Sequence, residues 1–322
     1  MDFRLEFEPA GLSHKIDIDD SILLIGSCFT DHVYERLRSF KFNALQNPNG
    51  ILFNPQSIFH ALDQYQKNSP VKEEDLFWEQ GLWNHWDFHS SWSDSDKHIA
   101  LRRMNDQIAQ GHSFLKTSKW LILTMGSAFV YYFDHHRPVA NCHKVPSAQF
   151  NKKMLSPEQI KDLFALFKFN IEKINPDLKI ILTVSPVRHL RDGFVENNRS
   201  KAALIHATQL ITESFPNVYY FPSYELVIDD LRDYRFYAED MVHPNYLATK
   251  YVWQKFRDAC INGRTKELMK DIEQLNIAMA HRPMHPDSEE HQKFKSKYKS
   301  MALDLQLRFK KGDFSNEIQH FT

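Results

Sequence analysis

The sequence predicts an α/β protein, a parallel sheet with helices on both faces, followed by a helical extension. Three observations carry that prediction. Short apolar runs recur at Ile22–Ile25, Trp120–Met125, Lys179–Ser185 and Val218–Phe221, long enough for buried strands and too short for helices. Stretches of helical periodicity separate them, and such alternation builds parallel sheets through right-handed crossovers. Beyond Gly263 no strand-like run is left, only charged amphipathic helices split by His281-Arg282-Pro283-Met284-His285-Pro286. Residues 1–262 are therefore expected to form the sheet domain and residues 263–322 the extension.

The first core strand, Ile22–Ile25, stops at Gly26-Ser27-Cys28, and a helical pattern begins at Asp31 with Val33, Leu37 and Phe40 on one face. Residues 3–8 alternate as an edge strand would. A second strand is expected in Lys41–Leu45, ending in the turn Asn47-Pro48-Asn49-Gly50, and Asn54-Pro55 caps a helix to about Gln66. Residues 70–96 form a tryptophan-rich insertion, with Trp78, Trp83, Trp86 and Trp92 among His85, Asp87 and His89. It reads as a small aromatic subcore or as the wall of a substrate cleft, since an indole packs on apolar or sugar faces while offering an N–H.

Ser95–Lys116 has helical character and leads into the strand Trp120–Met125, halted by Gly126. Phe129–Phe133 and Pro138–Ala140 flank Asp134-His135-His136-Arg137 as a hairpin does, and deliver the polar cluster Asn141-Cys142-His143-Lys144. That cluster reads equally as a solvated loop or as part of a site. Ser156-Pro157-Glu158-Gln159 is a capping box opening a helix to about Ile174. A helix over about Asn198–Phe215, a helical stretch over Tyr224–Leu231 and a closing helix over Asn245–Asn262 complete the sheet domain. In parallel sheets ligands gather at the carboxyl ends of the strands, so Gly26, Gly126 and Ser185 are expected on one rim.

Composition excludes several functions. The chain has 322 residues, 42% of them hydrophobic, enough for a sizeable core. Forty Lys and Arg against 41 Asp and Glu give a formal net charge of −1, with no basic footprint for nucleic acid. No two glycines lie closer than Gly11 and Gly26, or Gly111 and Gly126, which removes a GxGxxG fingerprint, a P-loop and a GxSxG elbow. Seventeen histidines show no HExxH or HxxEH spacing, so neither a metal nor a cofactor is expected. Three scattered cysteines, Cys28, Cys142 and Cys260, make a poor disulfide framework and fit a reducing compartment. With no signal-peptide core in Met1–Pro9 and no run near the roughly 20 apolar residues a bilayer span needs, a cytoplasmic protein is expected.

Two stretches carry chemistry. Gly26-Ser27-Cys28-Phe29-Thr30 brings small nucleophiles from a strand to a helix start, where free N–H groups and the helix dipole stabilise a thiolate or oxyanion. A thiol there, next to a histidine, is expected to have a lowered pKa. Asp240-x-x-His243-Pro244 follows the last strand; its aspartate can accept from one ring nitrogen and leave the other as a base facing the rim.

These motifs are similar to those of a known family. Gly26-Ser27-Cys28-Phe29, with Thr30 where many relatives have alanine, resembles the signature of the GSCFA family; Asn141-Cys142-His143-Lys144 and Ser185-Pro186-Val187-Arg188 resemble its other marks. The resemblance covers about residues 1–260. It implies membership of the SGNH (GDSL-like) hydrolases, a flavodoxin-like fold whose members are mostly esterases, lipases and carbohydrate acyl-esterases. Asp240 and His243 then match the superfamily's orienting acid and general base. The superfamily's Gly-Asp-Ser, laid without a gap from Gly26, puts Cys28 on the nucleophile; a gap of one residue puts Ser27 there. Because the glycine fixes the strand end, Cys28 is the first choice and Ser27 the second. The resemblance also implies oxyanion donors at Gly50 and Gly126; the superfamily's asparagine is replaced by Ala128, leaving Asn141 or Ser127 as substitutes.

The expectation is thus acyl transfer or ester hydrolysis of a small-molecule or carbohydrate acyl ester on Cys28 or Ser27, His243 and Asp240, with His143, Lys144 and Arg188 lining the pocket. The alternative is a module of the same fold that binds a glycan or acyl group without turning it over, motivated by Ala128 and the tryptophan-rich insertion.

Overall fold

Ile22, Leu23, Leu24 and Ile25 are all fully buried, and they divide their side chains between two cores. Ile22 and Leu24 enter one hydrophobic cluster, Leu23 and Ile25 the other, as the two-residue period of a strand covered on both faces requires. The computed structural model describes residues 5–322. In chain order these form β1 (Ser21–Gly26), α1 (Phe29–Ser39), β2 (Asn43–Gln46), α2 (Pro55–Lys67), the short hairpin β3 (Phe77–Glu79) and β4 (Leu82–Asn84), and α3 (Lys97–Thr117). There follow β5 (Trp120–Met125), β6 (Phe129–Phe133), β7 (Arg137–Val139), β8 (Phe150–Met154), α4 (Pro157–Ile171), β9 (Lys179–Val184), α5 (Gly193–Ser214) and β10 (Val218–Tyr220). The chain closes with α6 (Ser223–Glu225), a π-helical turn over Leu226–Leu231, α7 (Tyr246–Cys260), α8 (Gly263–Ala280), α9 (Glu289–Arg308) and α10 (Ser315–His320).

The main sheet runs β10-β9-β5-β1-β2, every pair parallel. This is the flavodoxin-like order, with its switch point beside β1. Buried residues of α2, α4 and α5 pack on one face; those of α1 and α7 pack on the other. Helices α8 to α10 join that second core through Leu268, Ile272, Leu275, Leu305 and Phe314, so the extension shares its hydrophobic interior with Ile22 and Leu24. Among the described residues no helix is long and apolar enough to cross a membrane.

Two local expectations change, and one of two open readings is met. Of the alternating residues 3–8, residues 3 and 4 lie outside the described residues, and residues 5–8 form no strand. Phe7 packs on the core and Glu8 pairs with Lys255 of α7, while Leu5 is exposed, so residues 5–8 lie against the domain at Phe7 and Glu8 without joining a sheet. Strand β8 has no apolar run to announce it, because Phe150-Asn151-Lys152-Lys153-Met154 is half-exposed on both faces; it pairs antiparallel with β6 beside the expected hairpin. Of the four clustered tryptophans, Trp86 is buried and stacks on Phe77 and Phe133, and Trp83 and Trp92 pack on a cluster of Phe88, Met104 and Ile108. This is an aromatic subcore.

Candidate active site

The site begins with a glycine that no other residue can replace. Gly26 has φ +148°, its N–H donates to Asn47 Oδ1 at 2.8 Å, and a Cβ there would lie 2.1 Å from the Thr124 carbonyl oxygen of β5. Close contact of β1 and β5 at this point turns the chain, and Ser27 and Cys28 diverge. Ser27 is fully buried: its N–H donates to the Thr124 carbonyl at 3.0 Å and its Oγ has no partner. Cys28 is half-buried at the cap of α1, where the backbone N–H groups of Cys28 and Phe29 favour its thiolate.

Electrostatics at the thiol run against the expectation of a lowered pKa. Burial, and after it the Asp31 carboxylate in the first turn of α1, push the Cys28 thiol up, outweighing the two N–H groups and Lys201. At neutral pH the group is a thiol, and a nucleophilic role requires a base.

The base candidate lies on the loop leading into α7. His243 Nδ1 donates to Asp240 Oδ2 at 2.7 Å, while Asp240 Oδ1 accepts from the N–H groups of Val242 (2.9 Å) and His243 (3.0 Å). Those bonds hold the Asp240 carboxyl down at about 2, so it is ionised throughout the working range. The positive φ of Met241, +57°, makes the tight turn that brings the carboxylate and the ring together. With Nδ1–H committed, Nε2 is the free acceptor. The charge of His243 disfavours the protonated forms of His32, one turn into α1, and of His189 after β9. Arg188 braces this loop: its N–H donates to the Val242 carbonyl, Nη1 to the Met241 carbonyl at 3.4 Å, and its guanidinium stacks 4.2 Å from the Tyr237 ring centroid.

Gly126 closes the floor. A Cβ there would lie 3.1 Å from His189 Nε2 and 3.2 Å from Ser27 Cβ, so its bare α-carbon admits both. His189 Nε2 is buried without a partner, and burial followed by Lys201 pushes its pKa down to about 4. Of the amides expected to serve as oxyanion donors, those of Gly50 and Gly126 are engaged, with the carbonyls of Asn47 (2.7 Å) and Phe53 (2.8 Å). Ser127 N–H also donates to Phe53, and Ala128 N–H to Ser200 Oγ. The backbone N–H groups that favour a Cys28 thiolate are its own and that of Phe29.

Asn141, His143 and Lys144 are gathered elsewhere, in a cleft of about 770 Å³ between the β6–β8 ladder and the loop after β9. Phe129, Tyr131 and Phe150 form its aromatic wall, and no tryptophan lines it. Asn141 Oδ1 accepts from His143 N–H, and His143 Nε2 donates to the His85 carbonyl at 2.8 Å, so the cluster is a hydrogen-bonded loop as well as a cleft wall. Cys28, His243 and Asp240 do not line the cleft; it meets their rim at His189 and Ser127. The structure therefore pairs His243 with Asp240, half-buries Cys28 at the start of α1, buries Ser27 fully, assigns Arg188 to the loop before α7, and gathers Asn141, His143 and Lys144 with His189 in the cleft.

Two residues not singled out from the sequence belong here. His189 follows a recognised strand end but sits in no motif. Lys201 had a readable signal: it occupies the buried stripe of α5 with Asn197, Leu204, Thr208 and Ile211, at helical spacing, where a lone cation is out of place. Among the described residues no cluster of His, Cys, Asp and Glu could hold a metal ion.

Residues 21–256 match the family model described as GSCFA family, and residues 272–322 match that of the GSCFA domain protein, C-terminal domain. No curated protein matches the chain.

Proposed function

The chain belongs to the GSCFA family, and we propose that it transfers acyl groups, as an SGNH-like ester hydrolase or acyltransferase acting through Cys28, His243 and Asp240. One observation supports the reading: the His243 imidazole is held to the Asp240 carboxylate through Nδ1, which leaves Nε2 free to act as a base. In the proposed reaction His243 Nε2 takes the thiol proton as Sγ bonds to the acyl carbon. The N–H groups of Cys28 and Phe29 are the donors for the oxyanion. The ester C–O bond then breaks, and His243 returns the proton to the departing alcohol. Water or a second alcohol attacks the thioester, again giving its proton to His243, and the thiol is restored. The remainder of the substrate, a small molecule or an acylated sugar, occupies the cleft beyond His189, whose rings suit a flat apolar or sugar face.

A panel of short acyl esters and acetylated sugars, assayed on wild type, Cys28→Ala, Ser27→Ala and His243→Ala, tests this. Turnover by wild type and Ser27→Ala, and none by the other two, is expected; equal turnover by wild type and His243→Ala ends the reading. The raised thiol and the engaged amides of Gly50 and Gly126 favour a second reading, a module that binds a glycan or acyl group without chemistry. It predicts saturable binding and no covalent adduct at Cys28 from a substrate-like ester.

A further inference from the structure

The cleft beside the β6–β8 ladder carries a charge that the chain as a whole does not. Histidines aside, the charged side chains lining it among the described residues are Lys144, Lys152 and Arg191, against the single carboxylate of Asp192, while the full chain has a formal net charge of −1. Lys152 and Asp192 form an ion pair, and Lys152 Nζ lies 3.9 Å from the Phe129 ring centroid and 5.4 Å from that of Tyr131. The acid of the cleft is thus already neutralised at the aromatic wall. Lys144 and Arg191 are exposed, and among the described residues neither forms an ion pair. Two unpaired cations therefore share a cavity of about 770 Å³ with the wall of Phe129, Tyr131 and Phe150. Charge of one sign over a low-dielectric wall focuses its field into a cleft and concentrates counter-ions there, where on an open surface water and salt screen it.

We propose that this cleft is an anion site, so that the acyl ester the protein takes carries a phosphate or a carboxylate, held by Lys144 and Arg191 while its apolar or sugar face lies on Phe129, Tyr131 and Phe150. The Arg191 guanidinium offers a planar fork that matches either anion with two parallel hydrogen bonds, and the Lys144 ammonium adds a flexible point charge. A neutral ligand would leave both cations unused, and a cationic one would be repelled. Only the ester rests on the acyl-transfer reading: Cys28 and His243 do not line the cleft, and the anion site stands without them.

The test is the binding of probes that share a pyranose ring and differ in charge: glucose 6-phosphate, glucuronate, glucose and glucosamine. Titration calorimetry gives the affinity. Protection from iodoacetamide of Cys142, a half-buried cleft residue, gives the place, and fully buried Cys260 reports unfolding. One or both anions should bind saturably, roughly tenfold or more tighter than glucose, slow the alkylation of Cys142 and weaken as salt is raised, while glucosamine should not bind. Preference for glucose 6-phosphate over glucuronate, or the reverse, identifies the anionic group. In Lys144→Gln/Arg191→Gln the anion Kd should rise roughly tenfold or more, and Lys144→Arg, which keeps the charge, should bind as wild type does. No saturable binding of either anion up to about 10 mM overturns the proposal. So do glucose or glucosamine binding as tightly as the anions, an affinity independent of salt, binding that leaves Cys142 unprotected, and an unchanged Kd in the double variant. Should Cys260 show that variant to be unfolded, the probe and salt comparisons on wild type decide alone. Binding needs no turnover, so anions that bind as expected to a protein that cleaves no ester keep this site and end the acyl-transfer reading. Turnover that depends on Cys28 and His243, without preference for anions in binding, does the reverse.

Discussion

Asp240 accepts the Nδ1–H of His243 at 2.7 Å while two backbone N–H groups fix the carboxylate from the other side. Ring and carboxylate are thus locked three residues apart, independently of the rest of the rim. Asp240→Asn preserves the shape but offers the imidazole the wrong partner, freeing the ring to take the other tautomer. The expected loss in kcat is roughly 10²- to 10⁴-fold with little change in Tm, measured by ester turnover and thermal melting. Because the Asp240 carboxyl is held down at about 2, any stability it lends is present above its unfolded value near 4. That contribution is lost only as pH falls toward 2.

Ser27 and Cys28 separate by burial. Ser27 Oγ is enclosed without a partner, so Ser27→Ala removes an unsatisfied hydroxyl and should leave stability unchanged or raise it by up to about 1 kcal/mol. Urea melts and turnover check this; a dead, normally folded Ser27→Ala would make the buried hydroxyl the nucleophile.

The two rim glycines should fail differently. Gly26→Ala places a Cβ 2.1 Å from the Thr124 carbonyl at φ +148°, and backbone strain plus overpacking should cost about 3 kcal/mol or more, seen in urea melts. Gly126→Ala meets a side-chain nitrogen of His189 at 3.1 Å and Ser27 Cβ at 3.2 Å, contacts a small rotation can relieve. Its expected effect is a displaced His189 and a raised KM, with a smaller loss of Tm.

His189 and His143 are both pushed down to about 4 by burial first of all. Each is neutral in the folded chain over a range where the unfolded chain, near 6.5, is protonated. The folded state therefore binds fewer protons, and stability falls as pH drops from about 6.5 to about 4. Urea melts across that window should show the decline, and it should be shallower in His143→Gln, by one proton's share. An identical slope in the variant would mean that the His143 ring is not desolvated as its contact with His85 implies.

How far the sequence disclosed this is a matter of which forces leave a linear trace. Ile22–Ile25, Trp120–Met125 and Lys179–Val184 are buried on both faces, so their apolar runs announce the parallel sheet, and Ser156 with Gln159 announces α4 through its cap. Strand β8 leaves no such trace because its pairing with β6 is made by backbone groups while Lys152 and Lys153 stay near solvent. At the rim, Cys28, Asp240 and His243 stand in short motifs, whereas the thiol's raised pKa comes from burial and from Asp31, which only the folded turn supplies. Likewise Gly50 and Gly126 carry the right residue type, but their amides are taken by carbonyls of Asn47 and Phe53 that the fold brings up. His189 comes to Gly126 from the far end of β9, a contact visible only once the strands are side by side.

The central claim is that Cys28 carries the acyl group with His243 as its base. Wild type, Cys28→Ala and His243→Ala should be mixed with 4-nitrophenyl acetate, quenched in acid within the first turnover and mapped by peptide mass spectrometry. The account predicts one acetyl group on Cys28 in wild type, none in Cys28→Ala, and a rate of acetylation at least 100-fold lower in His243→Ala. Acetylation of Cys28 at the same rate in wild type and His243→Ala, or an acetyl group on Ser27 instead, would contradict it.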